Sequence, residues 1–144
     1  MESITALEDE VLIHLPQWRV WDLLTDWVSA PLWMPGVDSM LAVGPAVPGQ
    51  TLRYRSADHE RELTVATVEP GSALTLAAGS DGADVRVEYG YLLVAEGDRT
   101  RLRLRVGIRL DHAAADGADE LREALAEAES GQLEAFRAYA EKAP

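Results

Sequence analysis

Three of the chain's four tyrosines, Tyr54, Tyr89 and Tyr91, lie in segments where apolar and polar residues alternate, and each falls on the apolar parity. Phenol hydroxyls among aliphatic side chains can polarise a carbonyl or relay a proton. Such chemistry works by orientation and hydrogen bonding and needs no strong nucleophile. Ser56, Thr67 and Gln132 share the same inward phases and add neutral polar groups. Buried hydroxyls and amides need partners from protein, water or ligand. Each tyrosine therefore has two readings: it orients a ligand, or it packs its ring in the core and sends its hydroxyl to the rim.

Other chemistries find less support. The chain has no cysteine, which removes disulfides, thiolate nucleophiles and cysteine-bound zinc. The histidines, His14, His59 and His112, lack metal-ligand spacing, and no metal or other cofactor is expected. Asp111 beside His112 reads as an exposed loop pair, since adjacent side chains seldom point the same way. Asp9 shares parity with Val11 and Ile13; it either reaches a pocket mouth as a base or lies in water beyond the sheet edge. The run GSDGAD has too few ligands for a calcium loop and reads as a turn. Arg99, Arg101, Arg103 and Arg105 stand opposite an apolar face, so they read as a solvated ladder pairing with Glu88 and Glu62.

Composition narrows the partners. A net charge of −12 and a pI near 4.5 disfavour phosphate backbones and anionic membranes. No apolar run approaches the roughly 18–20 residues that span a bilayer, so no membrane insertion is expected. The opening MESITALEDE carries acids where an export signal needs basic residues and an apolar run. With the absence of cysteine, this points to the cytoplasm. At 144 residues, a single domain over 1–144 is the economical reading, with a homodimer as one possible assembly.

The elements that must position the tyrosines follow from periodicity. VLIHL reads as a strand, ended by Pro16, which suits a helix start. Val20, Trp21, Leu24 and Trp27 then repeat at helical spacing. Pro31 and Pro35 break any long helix, leaving a short crossing segment with Trp33 and Met34. Six strands follow at Met40–Val43, Thr51–Ser56, Glu62–Val68, Leu74–Ala78, Val85–Ala95 and Thr100–Leu110, parted by turn-rich breaks. Finally, Asp116–Lys142 is dense in helix formers. Leu121, Leu125, Ala128, Gln132, Phe136 and Tyr139 share one face of it, and Gly131 sits inside as a bend, a close approach or a tolerated defect. The order predicts an α+β architecture, a curved seven-stranded antiparallel sheet around a long C-terminal helix, with two short helices between strands 1 and 2.

Several motifs carry a family resemblance. LPQWRVWDLLTDWVSAPLWMPGV, with Val20–Asp26 and Trp33–Val37, is similar to the opening of the START-like SRPBCC superfamily. VPGQTLRYR, LTVATVEPGSALTL and LEAFRAYAEKA resemble its later strands and closing helix. Its members include polyketide cyclases and dehydrases, pollen allergens and lipid-transfer domains. The resemblance implies the helix-grip fold and a hydrophobic small molecule in an internal cavity, bound by a cyclase/dehydrase-type enzyme of secondary metabolism. A non-catalytic carrier or sensor of a lipid-like ligand, or a chaperone-regulator-like interaction module, are the alternatives. Some polyketide aromatases of this kind use an interior arginine, but the phase of the ladder puts it outside. The expected catalytic groups are Tyr54, Tyr89 and Tyr91. Expected ligand contacts are Leu24 and Trp27 on the first helix, and Trp33 and Met34 on the crossing segment. Ser56, Val65, Thr67, Leu76, Val87, Leu104 and Val106 contribute from the strands, with Gln132 and Phe136 from the last helix.

Overall fold

The computed structural model describes residues 2–42, 44–79, 85–110 and 117–143. Strand β1 (Glu2–Ile13) is followed by helix α1 (Gln17–Leu24) and a 3₁₀ segment (Trp27–Leu32). Strands β2 (Ser39–Leu41), β3 (Thr51–Ser56), β4 (His59–Glu69), β5 (Ala73–Ala78), β6 (Val85–Glu96) and β7 (Arg99–Leu110) come next. Two helices, α2 (Ala118–Glu129) and α3 (Gln132–Lys142), close the chain.

The strands form one antiparallel sheet in the order β1-β7-β6-β5-β4-β3-β2, so the expected meander is completed by the first strand pairing with the last. Two bulges, one between Thr5 and Leu7 and one between Val65 and Thr67, interrupt the ladders. An extra residue on one strand bends it and increases its twist, which curves the sheet.

The second bulge also corrects the face assigned to Thr67. Leu63 and Val65 are buried, but the extra residue Ala66 reverses the alternation. Thr67 is exposed, while Val68 packs against the core. Period-two counting cannot survive an inserted residue.

Between strands 1 and 2 the local chemistry follows the sequence. The Pro16 carbonyl accepts hydrogen bonds from the Arg19 and Val20 amides, opening α1. Thr25 ends it, its hydroxyl donating to the Trp21 carbonyl at 2.8 Å. Beyond the 3₁₀ segment, Gly36 takes a left-handed conformation (φ 76°), and a side chain there would meet the Ser56 hydroxyl.

The long closing helix is present in two segments meeting at Ser130–Gly131. The Ser130 hydroxyl donates to the Glu127 carbonyl, competing with the helical ladder, and Gly131 is a poor helix former. No neighbour lies within 4 Å of a side chain built at Gly131, which excludes close approach, and the break between the two segments falls at this residue. On α3, Gln132, Leu133, Phe136 and Ala140 are buried; on α2, only Ala118 is. Trp33 meets Phe136 edge-to-face, ring centres 4.9 Å apart, tying the crossing segment to α3.

The arginine ladder faces outward as its parity requires. Its partners differ from those expected: Arg101 pairs with Glu96 and with Glu10, Arg103 with Glu10, and Arg105 with Glu8. Register explains the pairs with Glu8 and Glu10, because β1 lies beside β7 with Glu10 opposite Arg103 and Glu8 opposite Arg105. Glu88 pairs with Arg109, and Glu62 with Arg53. Among the described residues, no helix is long and apolar enough to cross a membrane.

Phe136→Ala is expected to lower unfolding free energy by about 3–5 kcal/mol in urea titrations. Trp18→Ala, at a site 66% exposed, should change it by no more than about 0.5 kcal/mol.

Candidate functional site

A cavity of about 320 Å³ opens where the concave sheet, the Met34–Val37 loop and the α2–α3 joint meet. Strand β3 contributes Tyr54 and Ser56, β4 Arg61 and Leu63, β5 Leu76, and β6 Tyr89 and Tyr91. The helices contribute Ala128, Glu129 and Gln132.

The three expected tyrosines are brought together, with Met34, Ser56, Leu76 and Gln132 beside them. Leu24, Trp27, Trp33, Val65, Leu104, Val106 and Phe136 are instead part of the packed core. Val87 is partly buried against that core. Inward phase alone does not separate a residue that lines a hollow from one that packs against a helix. Here α3 and the tryptophan-bearing segment fill one end of the hollow, Trp33 against Phe136, and only the end beneath the α2–α3 joint is open.

Sequence reasoning missed Arg61 and Glu129. Arg61 shares the parity of Leu63 and Val65, so extending the strand by one residue would have found it. Glu129 lies three residues before Gln132 and seven before Phe136, a helical step on the buried stripe that the choice of Ala128 obscured.

A hydrogen-bonded chain crosses the cavity wall. The Tyr91 hydroxyl donates to Gln132 Oε1, and Gln132 Nε2 donates to Glu129 Oε2. Burial pushes the Tyr89 phenol up, with the nearby Glu129 and Tyr54 adding to the effect. Tyr91 is raised well above the usual phenol range by burial, then by Glu129 and Tyr89, with the Gln132 bond opposing. Tyr54 is raised by burial, against the pull of Arg61 and with a further push from Glu129. All three phenols therefore keep their protons at neutral pH and serve as hydrogen-bond donors. Glu129 is itself raised by burial, while the Gln132 bond favours its charged form.

Among the described residues, no group of His, Asp and Glu is placed to hold a metal ion. The His14 amide donates to Glu141, and His59 is exposed beside the β3–β4 turn. Asp9 lies on β1 and does not line the cavity. Asp111, His112 and most of GSDGAD lie outside the described residues.

The family model described as polyketide cyclase / dehydrase and lipid transport matches residues 5–141. No curated protein matches the chain in sequence. The Zhui aromatase/cyclase from Streptomyces sp. R1128 is similar in structure, with a TM-score of 0.71 at 19% identity over 98% of this chain and 95% of that one. A START superfamily protein from Mycobacterium smegmatis aligns with a TM-score of 0.71 at 13% identity, over 94% and 97% of the two chains. The di-domain ARO/CYC BexL from the BE-7585A biosynthetic pathway gives 0.71 at 21% identity, covering 99% of this chain and 51% of that one. At these identities the likeness establishes the helix-grip fold.

Glu129 also has a sign-definite effect on stability. Its folded-state pKa is raised, so the stability it contributes is full below the unfolded value, about 4.3, and is lost as pH rises through the folded value. Glu129→Gln removes that loss. Relative to the parent chain, the variant should gain stability as pH rises from about 4 to about 7. Urea titrations across that range check it, and a pH-independent difference would contradict it.

Proposed function

The chain belongs to the polyketide cyclase / dehydrase and lipid transport family, and from that premise we propose that it binds a hydrophobic, oxygen-bearing small molecule in this cavity and promotes its cyclisation or dehydration. The observation that carries the reading is the convergence of Tyr54 and Tyr89, both with protonated hydroxyls, on a hollow whose wall is polar and apolar in similar measure. Sites for small molecules commonly combine apolar walls with a few convergent polar groups. The wall chemistry is rich in donors: two phenols, the Ser56 hydroxyl and the Arg61 guanidinium. Such a set complements carbonyl or phenolate oxygens on the guest.

In the mechanism, the apolar walls fold the guest into a compact conformer, and the phenols of Tyr54 and Tyr89 donate to the oxygen that gains negative charge. Donors fixed before the reaction need no reorganisation as that charge develops. Tyr91, whose hydroxyl is already given to Gln132, supports the wall.

Heptane-2,6-dione offers a direct test, since its intramolecular aldol condensation gives 3-methylcyclohex-2-enone and one water. The protein is expected to accelerate enone formation, and Tyr54→Phe or Tyr89→Phe should each lower the rate about tenfold or more. Binding of 2-naphthol, followed by calorimetry, should weaken by about two- to tenfold in the same variants. Binding with no acceleration would leave a carrier; rates unchanged in both variants would remove the phenols from the mechanism.

A further inference from the structure

Glu129 is the single carboxylate among the described residues that lines the cavity. Its setting fixes how its oxygens are used. Gln132 is buried, and its Oε1 is occupied by the Tyr91 hydroxyl, so its amide nitrogen must face Glu129 Oε2. Turning the amide over would set Oε1 against the carboxylate, acceptor against acceptor. This arrangement spends Oε2 and leaves Oε1 with no protein donor among the described residues.

The groups facing Glu129 are few. Tyr54 comes from β3, Arg61 from β4, and Tyr89 and Tyr91 from β6; β5 offers Leu76, and the Met34–Val37 loop has no titratable group. Arg61 lies outside ion-pair distance of Glu129 and has no carboxylate partner among the described residues. The carboxylate is thus half-buried and unneutralised, in an orientation set by an amide that is itself held.

We infer that Glu129 is the proton acceptor of this cavity, a catalytic residue that takes a C–H proton from the bound molecule through Oε1, with Gln132 and Tyr91 as positioning residues. The inference rests on the reading that the cavity holds an oxygen-bearing guest. The step balances within the site. Oε1 bonds to the hydrogen, the C–H electron pair becomes a carbon–carbon double bond, and the carbonyl π pair moves to oxygen. Glu129 leaves the step as a carboxylic acid, and the new oxyanion accepts hydrogen bonds from Tyr54 and Tyr89. Burial makes the carboxylate more basic than one in water, which suits a base working near neutral pH.

A probe reaction tests this independently of the natural substrate. In 5-nitro-1,2-benzisoxazole, removal of the C3 proton forms a nitrile, breaks the N–O bond and releases a coloured nitrophenolate, with no other reactant. The parent protein is expected to open the ring at least about tenfold faster than Glu129→Gln, with folding of both checked by circular dichroism. The acid limb of its pH–rate profile should move to higher pH in Gln132→Leu, because the bond favouring the charged form is lost. Tyr91→Phe, which frees the amide while keeping the ring, should move the limb in the same direction by less and serves if Gln132→Leu does not fold. Equal rates in the parent and Glu129→Gln, or a limb unmoved in the folded positioning variants, would overturn the inference. Should 2-naphthol bind while those rates are equal, the inference alone falls; if 2-naphthol does not bind at all, the reading of the cavity falls with it.

Discussion

The structure depends on an incomplete covering of a curved sheet. Two bulges bend the sheet into a trough, and the apolar floor of that trough must be shielded from water. Helix α3 covers one part firmly, with Leu133, Phe136 and Ala140 buried and Phe136 locked against Trp33. Helix α2 buries only Ala118 of its own length. A continuous helix docked throughout would press its stripe onto the whole trough. The break at Ser130–Gly131 lets one segment dock and leaves the floor beneath the joint uncovered.

That uncovered floor determines the site's chemistry. A void walled only by Leu, Met and Val would be dry and chemically mute. Here, phenols from β3 and β6 reach into it, and burial keeps them protonated. The same burial opposes the charge on Glu129, so donors and base are tuned by one cause, the scarcity of water. The tryptophan-rich segment contributes indirectly: Trp33 holds α3 down, and Met34 to Val37 form the rim.

Much of the fold could be read from the chain because its signals are local. Pro16 opens α1 where a proline suits a first turn, and alternation in β6 and β7 sorts inward tyrosines from outward arginines. The same alternation placed Tyr54, Tyr89 and Tyr91 on one concave face. It failed at Thr67, where one inserted residue reverses the side chains that follow it in β4. The site was half legible. Leu104, Val106 and Phe136 had inward phase, yet phase cannot say whether an inward residue meets a ligand or a neighbouring helix. Glu129 escaped notice because a charged residue at a stripe position next to Ala128 reads as solvated. The ladder's pairs with Glu8 and Glu10 required knowing that β1 lies beside β7, a long-range pairing that periodicity does not encode.

The central claim is that the hollow beneath the helix joint admits a small aromatic guest. Nuclear magnetic resonance during titration with 2-naphthol tests it most directly. The account expects the Gln132 side-chain amide and the Tyr89 ring to shift together and saturably, while the Phe136 ring, packed against Trp33, moves little. Shifts confined to the outer face of the sheet, with Gln132 unmoved, would contradict it.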